Sequence, residues 1–200
     1  MKTVIFIPGI WIYGNSTFFL QRGIKRCGYG SRRFAYSSVL NSWQENIQNL
    51  SQFIARQDSP VVLVGHSLGG LLSAETVKQH PQLKVEQIIM LGSPIAGSKA
   101  GRVLASWGIG RRMMGGSSEI LQVGIQRLPD SVPVKMIAGE SRIGAGNLLT
   151  RLSAPHDGTV AVEETRMDGL AEHVTLPVNH TSMLFSRSVV RTICRFLGEF

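Results

Sequence analysis

Short apolar runs alternate along the chain with segments whose apolar residues recur every three to four positions. Thr3–Ile7, 60–64 and 87–91 are apolar runs of strand length bounded by turn residues, the signature of strands buried on both faces. Further strands are expected at 132–138 and 173–178, with a weaker one at 33–37. Helices are expected between them at 16–27, 42–57, 68–80 and 182–197, with stops at Gly28 and Pro81. The second helix places Trp43, Ile47, Leu50 and Ile54 on one stripe behind a Ser42 N-cap. The last sets Val189, Ile193 and Phe196 against a stripe of Arg187, Arg191 and Arg195. This order predicts an α/β fold: a three-layer α/β/α sandwich with a mostly parallel central sheet, in one domain over residues 1–200. Segment 97–130 breaks the alternation. Glycine-broken, Met-containing and partly helical, it is expected to lie over the sheet's C-terminal edge as a lid- or cap-like insertion.

Composition changes this picture little. With 43% hydrophobic and 17% charged residues, a chain of 200 residues buries a core without help from metals or disulfides. The charge of +8 favours anionic partners, either an acidic partner or a weak contact with an anionic membrane. Basic residues come in scattered short groups, and no nucleic-acid motif accompanies them, which argues against nucleic acid. Cys27 and Cys194 match no metal or redox spacing and are read as two buried thiols in a reducing compartment. A single disulfide stays open, because their helices could share one face of the sheet. Pro8-Gly9 interrupts the apolar start and no small-residue cleavage site follows, so Thr3–Ile7 is read as core strand rather than targeting segment. No stretch approaches the ~20 apolar residues of a membrane span. A cytoplasmic setting is therefore expected.

The chemistry gathers at Gly65-His66-Ser67-Leu68-Gly69. A serine hydroxyl is a poor nucleophile near neutrality and needs both a neighbouring base and an exposed, rigid mount. A sharp turn from strand to helix is such a mount, and glycines two residues to either side keep it free of clashes. The pattern alone is common, but Val61-Val62-Leu63-Val64 before it and Leu71-Leu72-Ser73-Ala74-Glu75 after it supply the strand and the helix. His66 adjoins the serine facing the wrong way to be its base and is left a positioning role.

Where a nucleophile sits on such an elbow, an acid and then a histidine follow it in chain order. Of five histidines, His180 lies just past the expected 173–178 strand, on a loop above the sheet edge that also carries Ser67. His80 reads as a helix C-cap and His173 opens a strand. Asp157, in the turn His156-Asp157-Gly158-Thr159-Val160, is the expected acid, and Glu140 at the end of the preceding strand is the alternate.

Together with Ile7-Pro8-Gly9, Leu91-Gly92-Ser93-Pro94-x-x-Gly97-Ser98 and Asn179-His180, these motifs resemble a compact lipase/esterase of the α/β-hydrolase superfamily. The groups it resembles are the bacterial triacylglycerol-lipase-like and the PGAP1-like esterases. The resemblance touches nearly the whole chain except the middle insertion. It implies ester hydrolysis through an acyl-enzyme on Ser67, with the backbone N–H groups of Ile10 and Leu68 as oxyanion donors. Relatives commonly carry His-Gly after the first strand, where this chain has Pro8-Gly9. No cofactor and no metal is called for.

Trp11, Ile12, Tyr13, Phe18 and Phe19 follow the oxyanion loop, and Trp107, Met113 and Met114 lie in the insertion. Trp11, Trp107 and Met113 are the expected substrate contacts, for a small, lipid-like or medium-length acyl ester. A thioesterase acting through the same residues and a non-catalytic ligand-binding protein on the same fold are the alternatives.

Overall fold

The computed structural model describes residues 2–11, 17–142 and 152–198. Ile12, Tyr13 and the expected first-helix start at residue 16 lie outside them. In chain order the elements are β1 (Thr3–Ile7), α1 (Phe18–Arg26), β2 (Gly30–Arg33), α2 (Trp43–Ala55), β3 (Val61–His66) and α3 (Leu68–Gln79). There follow β4 (Val85–Leu91), α4 (Lys99–Ser106), α5 (Gly108–Met114), α6 (Ser118–Val123), β5 (Val134–Gly139), β6 (Glu172–Leu176) and α7 (Arg187–Phe196).

The six strands form one sheet in the order β2-β1-β3-β4-β5-β6, and every neighbouring pair is parallel. Strand alternation divides the core between two faces. Ile5, Ile7, Leu63 and Ile88 face α2, α3 and the insertion; Val4, Phe6, Val62, Val64, Ile89 and Leu91 face α1 and α7. Central β3 is buried along its whole length, which is why it reads as an unbroken apolar run. The chain leaves β1 toward the β2 edge and returns on the other side as β3. The carboxyl ends of β1 and β3 therefore flank the point where strand order reverses, the place where open α/β sheets leave a crevice.

Local chemistry sets the ends. Ser42 caps α2 in a capping box: its Oγ accepts from the Glu45 amide at 3.2 Å, and Glu45 Oε2 accepts from the Ser42 amide at 2.7 Å.

Three expectations are corrected. The second strand runs over Gly30–Arg33 rather than 33–37, because pairing of Thr3 through Phe6 with Gly30 through Arg33 selects a polar edge segment without an apolar pattern. The last helix divides into a 3-10 turn, Ser182–Phe185, and α7, where Ser186 breaks the run and its hydroxyl accepts from the Val189 amide. Cys27 and Cys194 are not two thiols but one disulfide joining α1 to α7. No described helix is long and apolar enough to cross a membrane.

Candidate active site

Ser67 joins β3 to α3 with φ 52° and ψ −120°, a left-handed conformation that non-glycine residues hold only under strain. Two glycines make the turn sterically possible. A Cβ at Gly65 would lie 2.4 Å from the Gly70 nitrogen, and one at Gly69 would lie 2.1 Å from the Ile7 carbonyl oxygen. The Ser67 amide donates to the Leu91 carbonyl at 2.8 Å, which pins the turn to the end of β4. Leu68 is the first residue of α3, so its N–H belongs to the first-turn amides that have no partner within a helix.

His180 follows β6 and Asp157 follows β5, and the fold closes the 23-residue gap between them. His180 Nδ1 lies 2.6 Å from Asp157 Oδ2, and Asp157 is 1% exposed. Asp157 Oδ1 accepts from the amides of Thr159 at 2.9 Å and Val160 at 2.7 Å, the turn geometry that Asp-Gly-Thr favours. Burial by itself raises the Asp157 carboxyl. The His180 charge, its hydrogen bond and the two amides outweigh burial and hold the carboxyl below its ordinary value. An ionised carboxylate only accepts, so the imidazole donates from Nδ1, and the neutral tautomer this selects is the one whose Nε2 can take a proton.

His66 is tied to the same loop. Its Nε2 donates to the His180 carbonyl at 2.9 Å, and the two rings lie 4.7 Å apart, tilted by 48°. Burial first, then the His180 charge, pushes its pKa down to about 3, so the ring is neutral near pH 7. Its Nδ1 is buried without a partner. Nothing local in the sequence signals this bond, which joins His66 to a carbonyl 114 residues away. Among the described residues, no group of His, Cys, Asp and Glu could hold a metal ion.

A cavity of about 130 Å³ opens on Ser67. Ile10 and Trp11 from the β1 loop, Leu104, Met114 and Leu121 from the insertion, and Val160 beside Asp157 line it. Trp11 lines this cavity, whereas Trp107 and Met113 lie outside its lining, 54% and 49% exposed. The wall takes Met114 because adjacent helix positions point roughly 100° apart, and in α5 that turns Met113 outward. Met113 contributes through its backbone: Trp11 Nε1 donates to its carbonyl at 3.0 Å and links the β1 loop to the insertion. Glu140, the alternate acid, is exposed, and no bond joins it to His180 among the described residues.

Comparison with known proteins agrees with this architecture. Residues 35–103 match the PGAP1-like alpha/beta domain family. No curated protein sequence matches. Among solved structures, the mature form of Bacillus licheniformis lipase BlEst2 superposes with a TM-score of 0.79 at 18% identity, over 98% of this chain and 91% of that one. The metagenomic carboxyl esterase MGS0156 gives 0.72 at 16% identity, over 99% and 76%. The monoacylglycerol lipase of Paleococcus ferrophilus gives 0.68 at 14% identity, over 99% and 95%. The chain has the α/β-hydrolase fold.

Proposed function

We propose that the protein is a serine hydrolase that cleaves carboxylic esters through an acyl-enzyme on Ser67. The observation that carries this reading is the Asp157–His180 pair, tied through the His66–His180 carbonyl bond to the strand end that carries Ser67 at positive φ on a strand-to-helix elbow.

His180 Nε2 takes the Ser67 proton as Oγ attacks the ester carbonyl, and Asp157 stabilises the imidazolium that forms. The carbonyl oxygen gains negative charge between the N–H groups of Ile10 and Leu68, each such donor typically worth about 3 kcal/mol of barrier. Collapse expels the alcohol, which takes its proton from His180. Water, deprotonated by the same ring, then attacks the acyl-enzyme and releases the acid and Ser67.

The cavity is small and its walls are mostly apolar. At about 130 Å³ it is well below the ~300–1,000 Å³ of pockets for drug-sized ligands, so it suits a short acyl arm. The Cys27–Cys194 disulfide favours an oxidising compartment over the cytoplasmic setting expected from free thiols.

A fluorophosphonate probe is expected to label wild type at Ser67, to fail on Ser67→Ala, and to react far more slowly with His180→Ala. Unlabelled wild-type protein that still binds esters would replace this reading with a non-catalytic one. In a p-nitrophenyl ester series, turnover is expected to fall beyond short acyl chains. Faster turnover of an acyl thioester than of its matched oxygen ester would make the protein a thioesterase.

A further inference from the structure

The positive charge of the chain is unevenly placed. Residues 1–44 and 173–198 carry nine of the 21 Lys+Arg and none of the 13 Asp+Glu, so the remainder, 12 against 13, is close to neutral. The fold joins the two acid-free segments. Helices α1 and α7 pack side by side on one face of the sheet and are linked by the disulfide.

Between them runs a groove of about 470 Å³, lined by Arg22, Arg26, Arg187 and Arg191 with Phe19 and Val190. All four arginines are exposed, and none has an acidic partner among the described residues. Arg195, the third residue of the α7 stripe, differs: it pairs with Glu172 at 2.6 Å and lies over the Phe196 ring. At the end of the groove toward the sheet's C-terminal edge, Phe18 opens α1 and Phe185 closes the 3-10 turn packed against it. Both rings are more than half exposed, at 58% and 55%.

We propose that this α1–α7 face docks on the surface of an anionic phospholipid bilayer. Guanidinium groups bind lipid phosphates through paired N–H donors, and a cluster of unpaired cations is attracted to an anionic leaflet. Phe18 and Phe185 supply the apolar part of an interfacial contact and enter the headgroup–acyl boundary beside the cations. A soluble anion would leave both rings in water, and a nucleic-acid backbone would meet the arginines without covering them. Lipid accounts for both halves of the face.

Flotation with vesicles tests the proposal. Wild type is expected to float with equimolar phosphatidylglycerol and phosphatidylcholine, to stay behind with phosphatidylcholine alone, and to be released by high salt. Arg22→Gln/Arg26→Gln/Arg187→Gln/Arg191→Gln is expected to weaken binding by roughly 100-fold or more at unchanged melting temperature. Should that variant not fold, each double variant is expected to lose about 10-fold. Phe18→Ser/Phe185→Ser is expected to lose about 10-fold as well, while Lys78→Gln/Lys84→Gln binds like wild type. No binding to the mixed vesicles, equal binding to pure phosphatidylcholine, or full binding by the arginine variants would overturn the proposal. So would displacement by millimolar inorganic phosphate, or tighter binding of a duplex oligonucleotide through the same arginines.

Discussion

His180 and Asp157 are joined twice. The ring Nδ1 lies 2.6 Å from Asp157 Oδ2, and the His180 amide donates to the Asp157 carbonyl at 2.9 Å. The backbone bond fixes where the imidazole stands and the side-chain bond fixes its tautomer. The two effects separate in Asp157→Asn, which keeps the backbone bond. This variant is expected to lose about 10⁴ in kcat while remaining folded, with a lower melting temperature because the carboxylate charge that holds the imidazole is gone. Steady-state kinetics and circular dichroism on the same preparation check it.

Gly92, the residue after β4, lies against this pair. Its φ is +56°, and a Cβ there would sit 3.0 Å from Asp157 Oδ2 and 3.1 Å from His180 Nδ1. Gly92→Ala is expected to destabilise by about 1 kcal/mol or more through backbone strain and to lower kcat beyond what the lost folded fraction explains. Rates normalised to titrated active protein make the distinction.

His66 makes stability depend on pH. Its proton is bound near pH 6.5 in an ordinary environment but only near pH 3 when folded. The unfolded chain therefore holds more protons between these values. The stabilisation is complete above 6.5 and is lost as pH falls toward 3, at about 1.4 kcal/mol per pH unit for a fully shifted group. Asp157 and His173, whose values are also lowered, add loss in the same direction. Denaturant unfolding at several pH values is expected to give a shallower slope for His66→Gln than for wild type.

The Trp11 Nε1–Met113 bond spans 102 residues and links the β1 loop to the insertion. Trp11→Phe keeps an aromatic ring and removes this donor, at a cost of about 1 kcal/mol. Amide exchange in segment 97–130 is expected to quicken while the central strands stay protected. Unchanged exchange there would mean that the bond does not hold the insertion.

Cys27→Ser/Cys194→Ser is expected to lose about 2–5 kcal/mol of unfolding free energy, because the bridge closes a loop across most of the chain. Fluorophosphonate labelling of the folded fraction is expected to be unchanged, since the bridge lies between α1 and α7, away from Ser67.

Much of this molecule is legible in the sequence for local reasons. Thr3–Ile7, the Val61-Val62-Leu63-Val64 run and the Ser42 cap declare themselves because burial on two faces and helix capping act on adjacent residues. The Ser67 elbow and the order of Asp157 and His180 are legible because the elbow needs glycine at fixed offsets and parallel strands place their following loops on one edge. The rest required the folded chain. Polar β2 is set by its pairing with β1, and inward-facing Met114 by the rotation of α5. The disulfide depends on the close approach of α1 and α7, where a Cβ on Gly23 would lie 2.6 Å from Val190 Cγ1. The His66–His180 bond likewise joins residues that no local pattern relates. Sequence by itself determined the alternation of elements and the place of Ser67 on a strand-to-helix elbow, because those follow from short-range periodicity and turn geometry. Tertiary structure alone decided what surrounds Ser67 and which distant side chains meet, because those contacts depend on packing between elements far apart in the chain.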